Sequence, residues 1–198
     1  MENQVKAVEI YTESTPNPET LKFVSNQMLL QNGTVDYTNE EDAKGSPLAV
    51  ELFGFPYIRG VFICSNFITI TKHSDYEWYD ITPSLKTFLK EYLLSDKVII
   101  VSVPAEKTNS KPNEPTNSED DEKIVVKIKE LLETYIKPSV EMDGGAIYFK
   151  SYSAGKVNLT LQGACSGCPS STYTLKAGIE NLLKRMVPEV TEVVSEAM

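Results

Sequence analysis

Apolar and polar positions follow two periods along this chain, and the switches between them mark most of its elements. Residues 8–12 alternate with period two, and so does the β-branched run Phe67-Ile68-Thr69-Ile70-Thr71-Lys72. Such alternation predicts half-buried strands. Residues 21–24 and 60–64 read as two more strands, with Cys64-Ser65-Asn66-Phe67 as a tight turn into the last. Helical spacing takes over after Ser46-Pro47, at Leu48, Val50, Leu52 and Phe53. It returns at Leu85, Phe88, Leu89 and Tyr92, where Thr82 is expected as the N-cap and Pro83 as the first helical residue.

The second half of the chain is patterned more sharply. Acidic residues 119–122 suit the positive end of a helix. Ile124, Ile128, Leu131 and Tyr135 then fall on one stripe, with Pro138 expected to stop it. Asp143-Gly144-Gly145 predicts a turn, and residues 147–152 and 157–161 a hairpin around Ala154-Gly155. Leu175, Ile179, Leu182, Leu183 and Met186 form a further helical stripe that Pro188 breaks, and Val190, Val193 and Val194 suit a last short strand.

Between the halves, residues 104–118 hold three prolines and otherwise no apolar side chain larger than alanine. Too little surface can be buried there to offset the entropy of ordering, which predicts a flexible tether. The expected fold class is therefore α+β: two small α/β-sandwich domains, residues 1–103 and 119–198, joined by a flexible linker at 104–118. The C-terminal domain is expected to run α-β-β-α-β.

Composition narrows the function. A net charge of −9 would repel phosphates and argues against nucleic acid or an anionic membrane as partner. No apolar run approaches the ~20 residues of a membrane span. The first residues, Met1-Glu2-Asn3-Gln4-Val5, have neither the basic and apolar regions of a secretory signal nor the arginines of an organelle presequence. Three cysteines do not make a secreted disulfide framework. A reduced, cytoplasmic setting is expected from these features.

The candidate chemistry lies in Gly163-Ala164-Cys165-Ser166-Gly167-Cys168-Pro169-Ser170-Ser171. Pro169 before a periodic run belongs at the start of a helix, which places Cys168 near its N-cap, where unpaired N–H groups favour thiolate. Gly163 and Gly167 allow the loop to curl, and its small residues leave room for a bulky inorganic group. On this reading the pair is an exposed, electropositive site. A tetrahedral thiolate site needs four ligands, so Cys165 and Cys168 supply half of one. Three readings stay open: half an iron–sulfur site, a thiol–disulfide redox pair, or half a structural zinc site completed by a second chain. Cys64 sits in an apolar run and reads as a core thiol, His73 as a solvated surface residue, and Asp143 as a turn former. No nucleophile–base constellation, phosphate loop or paired-carboxylate site is present, so an enzyme is not expected.

The run Met142-Asp143-Gly144-Gly145, the segment from Leu159 to Ser171, then Thr174-Leu175-Lys176-Ala177-Gly178-Ile179-Glu180 and Val187-Pro188-Glu189-Val190 closely resemble the C-terminal domain of NifU-type (Nfu) proteins. Thr15-Pro16-Asn17-Pro18, Leu21-Lys22-Phe23, Ser46-Pro47-Leu48-Ala49, Leu52-Phe53 and residues 67–72 are similar to the N-terminal domain of the two-domain members. Where members often carry an acidic or amide residue after the two glycines, this chain has Ala146. The resemblance implies an iron–sulfur scaffold and carrier in which Cys165 and Cys168 of each of two subunits hold one [4Fe–4S] cluster, with a [2Fe–2S] form also compatible with four thiolates. The implied partners are recipient apo iron–sulfur proteins, an upstream assembly scaffold, and a second copy of the chain when cluster is bound. The N-terminal domain is implied to recognise partners.

Overall fold

The period-two runs pair into sheets, and the helical stripes lie against them. The computed structural model describes residues 7–102, 119–166 and 169–197, and the chain divides into two units, Met1–Ala105 and Glu106–Met198. The tether expected over residues 104–118 lies outside the described residues.

The first unit holds five antiparallel strands in the order β1-β2-β5-β4-β3. These are β1 (Ile10–Ser14), β2 (Thr20–Ser25), β3 (Thr34–Tyr37), β4 (Ile58–Cys64) and β5 (Phe67–Lys72). Helices α1 (Pro47–Phe53) and α2 (Trp78–Leu94) cover one face. Leu48 and Leu52 of α1 and Leu85 and Leu89 of α2 are fully buried with Phe23, Val61, Ile63, Ile68 and Ile70 of the strands. The opposite face carries Phe62, Phe67 and Cys64, so Cys64 is a buried sheet residue, and His73 is exposed.

Two expectations change in this unit. Strand β3 carries Asp36 and has no long alternating run; pairing with β4 makes it a strand and buries Val35 and Tyr37. Helix α2 starts four residues before Thr82, with Glu77 as an extended N-cap, so Pro83 lies inside it. A tertiary contact extends the helix upstream: the Trp78 indole N–H donates to the Pro18 carbonyl at 3.0 Å, and its ring packs edge-on against Phe23. Propensity alone favours a start at proline, but packing of the half-buried Trp78 and burial of Ile81 override it.

The second unit is a three-stranded sheet, β6 (Gly145–Ser153), β7 (Lys156–Gly163) and β8 (Glu192–Ala197), with the order β6-β7-β8. β6 and β7 form the expected hairpin. Ala154 and Gly155 take φ of 48° and 82°, the paired positive values a twisted two-residue turn requires. β8 runs parallel to β7, and α5 (Pro169–Met186) is the crossover that a parallel pair needs. Ile179 and Leu183 of α5 are buried with Val157, Leu159 and Leu161 of β7 and Ile128 and Leu131 of α3 (Glu119–Leu131).

Pro138 does not end the helical segment. A π turn at residues 132–136 follows α3, and α4 (Lys137–Met142) continues with Pro138 in its first turn. Opening the backbone by one residue there accommodates a side chain that lacks an N–H and would crowd the carbonyl four residues earlier. The same extra residue rotates the stripe, so Leu132 is buried and Tyr135 is 57% exposed.

The entry to α1 is tied from two sides. The Ala49 N–H donates to Ser46 Oγ at 3.2 Å, and the Ser46 hydroxyl donates to the Ile99 carbonyl at 2.7 Å, joining the cap to the segment after α2. Ser46→Ala is expected to lower the stability of this unit by about 1–2 kcal/mol, read as a shift of the urea midpoint with unchanged slope.

Candidate functional site

The end of β7 and the end of α4 meet at Cys165. Gly163 closes β7 with φ of 65°. The Ser166 N–H and hydroxyl both donate to the Gly163 carbonyl, at 3.1 and 2.9 Å, curling the chain into a turn that contains Cys165. The Ala164 N–H donates to the Gly144 carbonyl at 3.2 Å and fastens this turn to the start of β6. On the other side, α4 is capped at Asp143, whose N–H donates to the Ser139 carbonyl. Gly144, at φ 81°, then reverses the chain into β6.

Gly145 makes this meeting possible. A Cβ there would lie 2.6 Å from the Gln162 carbonyl oxygen and 2.9 Å from Cys165 Sγ, distances no side chain tolerates. The sulfur packs onto glycine backbone and joins the core cluster of the unit.

Cys165 is only 5% exposed. Burial first, and then the carboxylate of Asp143, together push its thiol up to about 12. The electropositive thiolate site expected here is therefore corrected at Cys165: near neutral pH this sulfur is a buried, neutral thiol beside a negative charge. The reason is positional. α5 begins at Pro169, four residues beyond Cys165, whereas a helix dipole acts within the first turn. Cys165 instead directly follows a core strand. Cys168 lies outside the described residues.

The sequence marks Asp143 only as a turn former, yet its charge acts on the candidate ligand. The doubled glycine after it was the available signal, since two successive glycines admit close backbone approach as readily as a turn. Ala146, where a larger polar residue is common in the family resembled, is buried. Among the described residues, no three His, Cys, Asp or Glu side chains gather at metal-binding distance, and no helix is long and apolar enough to cross a membrane.

Chemically, the site offers one soft sulfur ligand, with Cys168 three residues on in sequence. Such a donor suits zinc or iron–sulfur species. Because the thiol must lose its proton to bind, loading with metal releases protons.

Comparison with known proteins gives a family match for each unit. Residues 10–96 match the family described as Scaffold protein Nfu/NifU N terminal, and residues 128–194, which span both cysteines, match the NifU-like domain. Human NFU1 iron-sulfur cluster scaffold homolog, mitochondrial, is 37% identical over 94% of this chain and 71% of its own length. NifU-like protein 4, mitochondrial, of Arabidopsis thaliana is 39% identical over 98% of this chain and 68% of its own. The Drosophila sechellia protein, named as the human one is, is 42% identical over 93% of this chain, which spans 63% of that relative's length. A solution structure of a NifU-like protein from Saccharomyces cerevisiae is similar over 50% of this chain and 90% of its own, with 28% identity and a TM-score of 0.42.

The cytoplasmic expectation is overturned by these relatives, all three of which are named mitochondrial. Composition and low cysteine count report a setting where thiols stay reduced, and that is not peculiar to the cytoplasm. An organelle address is a separate, removable segment that a folded domain's composition does not encode.

Two outcomes follow from the geometry. Gly145→Ala should cost about 1–3 kcal/mol through forced displacement of the Cys165 turn, measured by urea unfolding. The second concerns pH. The folded Cys165 thiol sits at about 12, above the roughly 8.5 of an unfolded cysteine. Its stabilising contribution is therefore complete below about pH 8.5 and declines as pH rises from there towards 12. Metal-free protein should lose stability between pH 8 and 10.5 faster than Cys165→Ala does; parallel curves would contradict the buried thiol.

Proposed function

We propose, for a chain that belongs to the Nfu/NifU family of iron–sulfur cluster scaffold proteins, that it carries a cluster and delivers it to recipient proteins. The cluster is cargo: a [4Fe–4S] unit held by Cys165 and Cys168 of one chain and the same pair of a second. The observation that carries the reading is the coincidence of the cysteine pair with the NifU-like match over residues 128–194. The ligand arithmetic points the same way. Two thiolates are half of a four-sulfur set, and a twofold contact between copies brings equal halves together.

Burial of Cys165 gives this carrier a means of release. A recipient thiolate bonds to an iron as the iron–Cys165 bond breaks, and the departing sulfur takes up a proton. Its protonated form is the one the core and Asp143 favour, so each ligand exchange is drawn forward at this chain's side. A cluster held by ligands that return to a stable thiol is held loosely, as delivery requires. No catalytic turnover is part of the role.

The proposed partners are apo iron–sulfur proteins downstream and an assembly scaffold upstream. The surroundings are taken to be mitochondrial, as the relatives' names support. Nucleic acid and anionic membranes are excluded from the proposal by the net charge of −9.

Reconstitution with ferrous iron and sulfide without oxygen tests the reading. The expected product is brown and sediments as a dimer, with about four iron and four sulfide per pair of chains. Cys165→Ser and Cys168→Ser should each lose the chromophore and the dimer together while keeping the far-ultraviolet spectrum. A colourless zinc dimer, or a metal-free monomer that turns over a disulfide, would favour the zinc or redox reading. A single subunit with a full cluster would defeat the shared-ligand idea.

A further inference from the structure

The five-stranded sheet of the first unit has two edges, β1 and β3. β3 is protected by being only four residues long and by Asp36 within it. β1 is one residue longer, and its one acid, Glu13, is engaged by Lys22 of β2 at 2.9 Å, so its charge is offset within the sheet. Its hydrogen bonds to β2 follow from the register, in which Asn26 N–H donates to the Glu9 carbonyl and Tyr11 and Glu13 face Val24 and Lys22. By the alternation of an antiparallel ladder, the backbone groups of Ile10, Thr12 and Ser14 point away from β2. Consistently, the next strand shows the opposite phase, with Ser25 N–H donating towards β5, to Asn66.

Beside this edge runs a groove of about 320 Å³ lined by Val8, Glu9 and Ile10 and by Lys86, Thr87 and Lys90 of α2. Lys22, Arg59 and Lys97 in the same unit each hold an acid, Glu13, Glu19 and Glu51 respectively. Lys86 and Lys90 hold none among the described residues. They lie one helical turn apart, about 6 Å along the axis. Alternate residues of an extended strand are separated by about 6.8 Å and project to the same face. Val8 and Ile10 pack towards the helix-covered face, so alternate residues of a strand added to β1 would emerge next to these lysines.

We propose that β1 and its groove dock an extended acidic segment of a partner protein, added as a sixth strand with carboxylates at alternate positions against Lys86 and Lys90. Main-chain bonds to Ile10, Thr12 and Ser14 supply affinity, and the lysine pair supplies selectivity for acid-x-acid over neutral or basic strands. The surface lies in the unit without the cysteine pair, so this assignment stands or falls apart from the cluster reading.

The test uses the full chain and a blocked ten-residue peptide of alternating threonine and glutamate, with its lysine counterpart as control. Binding of the acidic peptide should slow amide exchange at Ile10, Thr12 and Ser14 at least tenfold at saturation. The combined Lys86→Glu and Lys90→Glu variant should bind at least tenfold more weakly, and Lys86→Gln with Lys90→Gln should weaken binding by a smaller factor. Both pairs are on the surface, and an unchanged circular dichroism spectrum shows the fold kept. Equal affinity in the charge-reversed protein, binding of the lysine peptide as tight as the acidic one, or no slowing at those three amides overturns the proposal. Slowing that grows with protein concentration alone, marking a second copy at the edge, overturns it too.

Discussion

Contact between the Cys165 sulfur and the bare backbone of Gly145 is the constraint on which the second unit depends. It brings the end of β7 against the start of β6, and the hydrogen bond from Ala164 to Gly144 holds it there. Everything chemical about Cys165 follows. The sulfur belongs to the core, so its neutral form is favoured, and the adjacent helix end contributes a carboxylate that strengthens the preference. A candidate ligand is thereby built as a buried, neutral thiol.

The two described cysteines are both buried, but their settings differ in a way that separates structure from chemistry. Cys64 lies at the end of β4, opposite Phe67 across a two-residue turn, on a sheet face with Phe62. Its burial is that of a small apolar side chain. Cys165 lies beyond the end of its strand, in a turn made by one glycine and fitted onto another. Burial alone does not distinguish a core thiol from a candidate ligand; the charge beside it and the turn that carries it do.

Legibility from sequence varied with how local the cause of each element is. The β6–β7 hairpin was readable because alternation and Ala154-Gly155 act within a dozen residues. α1 was readable from Ser46-Pro47, where the cap is a bond three residues long. The start of α2 was not, because Trp78 is held by Pro18 and Phe23, about sixty residues earlier. β3 was invisible because its alternation is two residues deep and its partner strand lies beyond α1. Pro138 looks like a stop in the sequence because nothing local announces the π turn that admits it.

The sequence by itself determined the two-part α+β organisation, the cysteine spacing and the family those motifs belong to, because each is a property of neighbours along the chain. Only the tertiary structure decided the state of the sulfur and which strands form the edges of the first sheet. Both depend on what distant segments place nearby: Gly145 and Asp143 at Cys165, and α2 beside β1. Periodicity tells a residue which way to face, but solvation and charge are set by whatever else arrives at that face.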